Sequence, residues 1–175
     1  MVTISLPDCN TISQNYYDQL IASIDLVNII CPVCGHGACM SVHGYYTRHI
    51  KESSGGKSPI RIMRTKCSFC KHTHAILPSA IVPYSQIILP DQNRILDLYE
   101  EGASACETAD AIPSADENNV KSIVLRYVRH WRQRLLARDI GRHPIGEMVR
   151  SCFSFYARQF LQIRHTPNIL FFKPT

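Results

Sequence analysis

The pairs Cys31-Pro-Val-Cys34 and Cys67-Ser-Phe-Cys70, with 32 residues between them, constrain this chain more than any other feature. Each C-x-x-C closes a tight turn that points two sulfurs at one centre. Two such turns supply four thiolates, the tetrahedral shell that Zn²⁺ prefers. Four sulfurs fill that shell and leave no position for water, so the expected role is structural. An iron–sulfur cluster is the alternative. A redox pair would need only one C-x-x-C in a βαβ setting, and no such setting is read here. The expected ligands are Cys31, Cys34, Cys67 and Cys70, with Cys39 and His36 near enough to compete. Gly35 suits the first turn because the chain there needs a positive φ, and Lys71 stands at the matching place in the second.

Between the Cys pairs lie two β-like runs, Ser41 to Ile50 and Pro59 to Lys66, joined by the flexible tip Glu52-Ser-Ser-Gly-Gly-Lys57. A third strand, Thr73 to Leu77, ends at Pro78. Together they predict a small three-stranded zinc ribbon over 31–78. A domain this small buries little core, so bound metal is expected to supply much of its folding energy. Residues 1–30 read as a lead-in with a short helix, Gln14 to Leu26, whose Tyr17, Leu20, Ile21 and Ile24 have helical spacing. Residues 79–90 carry Pro83 and Pro90 and read as an extended linker.

Residues 91–138 read as three helices. The first runs from Asp91 to Glu101 and stops at Gly102. Ser104-Ala-Cys-Glu107 and Ser114-Ala-Asp-Glu117 match the S-x-x-E capping box, placing two further helix starts ten residues apart. That is a helix-turn-helix arrangement with Pro113 in the turn. The third helix, Ala115 to Arg138, would bury Val120, Val124, Tyr127, Val128, Trp131 and Leu135. Residues 139–175 read as a C-terminal helix followed by an apolar tail bounded by prolines. The expected fold class is therefore α+β, a small zinc ribbon followed by a helical helix-turn-helix domain.

Charge bears on the partner. The net charge is +5, and it is unevenly spread. Residues 31–90 carry seven bases and one acid, 91–120 one base and eight acids, and 121–150 eight bases and two acids. Two basic blocks flanking an acidic one point to a polyanionic partner, against the plain alternative of a solvated surface. On the third helix, Asn119, Ser122, Arg126, Arg129, His130 and Gln133 lie opposite the apolar stripe, with the chemistry of phosphate and base-edge contacts. Asp116 and Glu117 occupy the helix start that usually meets base edges, so contact is expected from its middle or from the ribbon. There Arg48, Lys51, Lys57, Arg61, Arg64, Lys66 and Lys71 are the candidates, Arg48, Arg61, Arg64 and Lys66 foremost, with Tyr45, Tyr46 and Phe69 interleaved for stacking, at least one of them expected in the ribbon's small core.

No phosphate-binding loop, dinucleotide fingerprint or H-E-x-x-H motif occurs, and His72-Thr-His74 reads as structural. A metal-dependent nuclease needs several acids converging from separate strands, and little unassigned chain remains for one. No enzyme activity and no small-molecule substrate are expected. No apolar run reaches the roughly 18 residues of a membrane helix, and no secretory signal is read. Together with the cysteine usage this gives a cytoplasmic expectation.

C-P-V-C-G, then H-G-Y-Y-T-R, then I-R-I-M-R-T-K-C-S-F-C-K-H-T-H-A-I-L-P, followed by a helix-turn-helix, resembles the N-terminal head of bacterial insertion-sequence transposases. It is also similar to small stand-alone proteins of uncharacterised function that carry the same head. The resemblance covers residues 31–138. It implies metal ligation by the four cysteines, a recognition helix from Ser114, and recognition of double-stranded DNA without the catalytic domain of such enzymes. The expected role is a transposon accessory factor or a transcriptional regulator, working alone or beside a separate transposase. A protein–protein adaptor built on the zinc ribbon is the alternative, and a divergent nuclease or transposase a third reading.

Overall fold

The computed structural model describes residues 2–4 and 12–132. The expectations for Gln133, for the side chains of His130 and Trp131, for the third helix beyond Arg132 and for 139–175 fall outside the described residues. The class is α+β. Strand β1 (Val2–Ile4) and helix α1 (Gln14–Ala22) precede a long hairpin, β2 (Met40–Lys51) and β3 (Lys57–Cys67), and then β4 (Thr73–Pro78). Three helices follow: α2 (Leu89–Glu100), α3 (Ala105–Ala111) and α4 (Glu117–Tyr127), the last continuing as a π turn over Val128–Arg132. The contacts divide into two units. One holds residues up to Ile50 with Ser58–Ser79, the other Lys51–Lys57 with the residues from Ala80 on.

In the first unit the strands lie in the order β1-β4-β3-β2. The five-residue connection between neighbouring β2 and β3 makes that pair antiparallel. β4 runs antiparallel to β3 from Lys66↔Thr73 to Arg64↔Ala75, then leaves it and pairs in parallel with β1 from Val2↔Ile76 to Ile4↔Pro78. The place where β4 changes partner is closed by α1. Tyr17, 1% exposed, donates its hydroxyl to the Ile76 carbonyl at 3.0 Å and accepts the Met63 N–H at 2.9 Å. One phenol thus completes the ladder between two diverging strands. Burial raises its pKa to about 12, so the proton needed for the bond to Ile76 stays in place. Gln14, at the start of the same helix, accepts the Arg61 N–H at 2.7 Å. Of the apolar positions expected on this helix, only Tyr17 is buried.

The period-two pattern of β3 changes phase in mid-strand. Ile60 and Ile62 are buried on one face, then Met63, Thr65 and Cys67 on the other. None of Tyr45, Tyr46 and Phe69 is buried; the interior that one of them was expected to fill is occupied by Tyr17, Ile60, Ile62 and Met63.

The second unit packs around Ile95, Leu96, Ile112, Val120, Ile123 and Tyr127. α2 has Pro90 in its first turn, where a missing N–H costs nothing, and Gly102 follows its end at φ 93°. α3 has both halves of its capping box: Ser104 Oγ accepts the Glu107 N–H at 3.2 Å, and Glu107 accepts the Ser104 N–H at 2.8 Å. The second expected box is not formed. Ser114 is fully buried and donates its hydroxyl to Asp91 at 2.6 Å; α4 starts two residues later with Asp116 as the cap, accepting the Asn119 N–H at 2.8 Å. The stripe turns with it: Ile123 is buried and Val128 is exposed. Residues 79–88, expected as a linker, have no regular structure, yet Val82 and Ile87 sit in this core. Their apolar side chains need burial, and the chain turns between them at Pro83-Tyr84, where Ser85 N–H donates to the Val82 carbonyl at 3.2 Å.

The tip of the hairpin belongs to this unit through specific contacts. Asp91, 7% exposed, accepts Ser53 Oγ at 2.8 Å as well as Ser114. Gly55, at φ 91°, leaves only 3.3 Å between a would-be Cβ and the Pro113 carbonyl oxygen. Lys51 N–H donates to the Gln86 carbonyl at 2.7 Å.

Replacing Tyr17 with Phe should leave the Met63 N–H and the Ile76 carbonyl buried and unpaired. Urea unfolding should show a loss of about 1–3 kcal/mol; an unchanged midpoint would mean that the strands close without the phenol.

Candidate functional site

The sulfurs of Cys31, Cys34, Cys67 and Cys70 all lie within 4.8 Å of one another, and the four cysteines could hold a metal ion. The two turns that carry them are built alike. Gly35 N–H donates to Cys31 O at 2.9 Å and Cys31 N–H to His36 O at 2.9 Å; Lys71 N–H donates to Cys67 O at 3.1 Å and Cys67 N–H to His72 O at 3.0 Å. Gly35 has φ 75°, and Lys71 takes the same left-handed conformation at φ 62° in spite of its side chain. The first cysteine of each turn is prepared for charge. Burial opposes ionisation of Cys31, but the N–H groups of Cys34 and Val33 turned on its sulfur outweigh it and bring the pKa down. Cys67 behaves likewise: against burial, the N–H groups of Cys70 and Phe69 and a sulfur contact with Cys39 bring it down to about 6.

Four sulfurs this close cannot all ionise unaided. Cys70 has the His72 N–H in favour of its thiolate, yet burial and its contacts with the Cys31, Cys67 and Cys34 sulfurs push it up to about 12. A divalent cation reverses that balance, releasing the remaining protons as it binds. The donor set therefore fits a thiophilic ion.

The competing ligands are engaged elsewhere. His36 stacks on Phe69, with centroids 4.2 Å apart and planes at 18°. Cys39 Sγ lies 3.0 Å from the His36 carbonyl and 3.5 Å from Cys67 Sγ, and burial pushes it up to about 11, so it stays a thiol. His74, 3% exposed, sets Nε2 3.5 Å from Cys31 Sγ; burial lowers its pKa and keeps the ring neutral. A neutral ring with its proton on that nitrogen can donate to the Cys31 sulfur and steady it as a ligand.

The basic candidates of β2 and β3 do not converge. The Arg61 guanidinium lies 4.3 Å above the Tyr45 ring, while Arg64 donates to Thr73 Oγ1 at 3.2 Å. Arg48 is half-buried beside Tyr46, with burial lowering its pKa, and Lys66 is half-buried. By strand parity Arg61 stands on one face of β3, and Arg64 and Lys66 on the other.

On α4, Ser122 and Arg129 are exposed, and Asn119 and Arg126 are half-buried. Asn119, Ser122 and Arg126 line a concavity of about 620 Å³ together with Lys51, Lys57 and Tyr84. Arg126 is fixed from behind: it donates to Gln92 Oε1 at 3.1 Å. Gln92 is fully buried and spends its amide protons on Ser85 Oγ at 3.0 Å and the Ile87 carbonyl at 2.8 Å. The carboxylates that stand at the helix start are both committed. Asp116 caps the helix, and Glu117 pairs with Lys121 at 2.8 Å. Sequence reasoning named Lys51 and Lys57 as basic residues of the hairpin but did not place them beside α4, and it missed Tyr84 and Gln92. Only the positive charge of the tip signalled it; nothing local in the sequence places the tip beside α4.

A family model described as a domain of unknown function, DUF6431, matches residues 31–116. The match runs from the first cysteine to the residue that caps α4. No curated protein and no solved structure matches the chain significantly. Among the described residues, no helix is long and apolar enough to cross a membrane.

Cobalt(II) titration followed by thiolate-to-metal absorption should separate ligand from neighbour. Cys39→Ala should keep the bands of a four-sulfur tetrahedral site at the same stoichiometry, and Cys34→Ala should lose them.

Proposed function

We propose that this chain is a zinc-dependent DNA-binding protein, a zinc ribbon followed by a helix-turn-helix unit formed by α3 and α4. It is related in design to the recognition heads of insertion-sequence transposases and works as a transposon accessory factor or transcriptional regulator. The observation that carries the reading is the surface of α4, where Asn119, Ser122 and Arg126 face a concavity to which the hairpin tip adds Lys51 and Lys57. Among the described residues three cations and several neutral donors meet there with one carboxylate, Asp116, which is bonded to the Asn119 N–H.

In this reading Arg126, Arg129 and the two tip lysines hold phosphates, which sets the register on the duplex. Asn119 and Ser122 are the groups able to read base edges. Zn²⁺ bound by Cys31, Cys34, Cys67 and Cys70 would have a full sulfur shell, which suits a structural ion; its contribution is to hold the two turns together. His74 and the N–H groups on Cys31 and Cys67 fix the sulfurs that receive it. A second reading, a protein-binding adaptor, draws on Val27, Ile30 and Val33, all more than half exposed around the first cysteine turn.

Fluorescence anisotropy with zinc-loaded protein and a labelled duplex tests the first reading. Affinity should fall steeply with salt. In the Arg126→Ala/Arg129→Ala double variant the slope of log affinity against log salt should shrink by about two, close to 0.9 per lost phosphate contact. No binding at low salt by folded protein would refute the DNA reading and favour the adaptor.

Zinc dependence has its own check. A strong chelator should abolish hydrogen-exchange protection in β3 and β4, and strands that stay protected without metal would refute it.

A further inference from the structure

We propose that the concavity between the hairpin tip and α4 receives one unpaired nucleotide of a nucleic-acid strand, its phosphate among Lys51, Lys57 and Arg126 and its base on Tyr84. The inference rests on the DNA-binding reading and goes beyond it, because a regular duplex has no free base face to offer.

Size is the first argument. About 620 Å³ is the volume of a small-molecule site, far more than a phosphate contact on a duplex requires. Charge is the second. Among the described residues Lys51, Lys57 and Arg126 outnumber the one carboxylate of the lining, Asp116, and leave it net positive. Preorganisation is the third: Arg126 is held in place by the buried Gln92, which is itself held by Ser85 and the Ile87 carbonyl, so an anion meets a guanidinium already positioned.

Tyr84 decides the class of ligand. It lines the same concavity, is 82% exposed, and has φ 61°. A bulky aromatic residue in the left-handed region is a genuine outlier, sustained here by the burial of Val82 and Pro83 before it and Ile87 after it. The backbone is thus held in a costly conformation that presents an aromatic face to solvent at the rim of a cationic hollow. A planar ring linked to a phosphate satisfies both features. Asn119 and Gln86, also in the lining, carry amides able to pair with a base edge. A strand is favoured over a free nucleotide because Arg129, exposed one turn further along α4, offers a cation for the next phosphate.

The test uses the full zinc-loaded chain and anisotropy with three probes: a blunt duplex, the same duplex with one bulged adenosine, and the same duplex with a bulged abasic site. The bulged adenosine should bind about ten-fold more tightly than the blunt duplex, in line with the worth of one base–aromatic stack, and the abasic bulge should lose that gain. Tyr84→Gly, which suits the left-handed backbone and should unfold at no lower temperature than the parent, should lose the gain while keeping affinity for the blunt duplex. Tyr84→Phe should restore it. Equal affinity for blunt and bulged duplexes would overturn this inference and leave the DNA-binding reading standing. No binding to any probe at low salt would overturn both. Adenosine monophosphate competing as well as the bulged duplex would overturn the assignment to a strand.

Discussion

Four sulfurs gathered within 4.8 Å impose the main constraint on the first unit. Two of them come from a turn near residue 31 and two from the end of β3 and the turn before β4, so their meeting closes a long loop of chain. The backbone has done the work of aiming them. Matching hydrogen bonds in the two turns, and a left-handed residue in each, bring the first cysteine of each turn under two N–H groups. Those N–H groups, with the Cys39 contact, bring Cys67 down against its burial, while burial and the neighbouring sulfurs drive Cys70 up. A cluster arranged so that two of its members ionise easily and another resists is arranged for a cation to complete.

Asp91 has a comparable place in the second unit. A buried carboxylate needs donors, and it takes them from Ser53 at the hairpin tip and Ser114 before α4. One side chain thereby ties together the tip, the start of α2 and the approach to α4. Ser114 lies buried against this carboxylate, and the cap of α4 is Asp116, two residues further on. The concavity is a consequence of that arrangement, since its walls are the pinned tip on one side and the shifted helix on the other.

How much of this was legible in the sequence follows from the range of the forces involved. The cysteine turns, the three strands, the stop of α2 at Gly102 and the Ser104–Glu107 box all depend on residues close together in the chain, and the sequence shows each of them. The Ser114 box had the same local signature and failed: Ser114 is buried against a carboxylate 23 residues away, Asp91, and the helix is capped by Asp116 instead. Residues 79–90 read as a linker from Pro83 and Pro90; the burial of Val82 and Ile87 depends on the core formed later by α2, α3 and α4. Among the site residues, the four cysteines share a place, and the basic residues of β3 do not, since the buried face of that strand changes in its middle.

The sequence by itself determined the local units: the spacing that makes two cysteine turns, the alternation that makes a hairpin, the glycine that ends α2 and the box that begins α3. Those are short-range matters of dihedral preference and of satisfying nearby N–H groups. Only the tertiary structure decided that Tyr17 would complete a ladder between Met63 and Ile76, that Ser114 would be buried against Asp91 while α4 is capped by Asp116, and that Lys51, Lys57 and Tyr84 would stand around Arg126. Each of these rests on pairing a buried polar group, or covering an apolar one, with a partner far away in the chain. Such a choice is made by the free energy of the whole packed unit, and no local pattern records it.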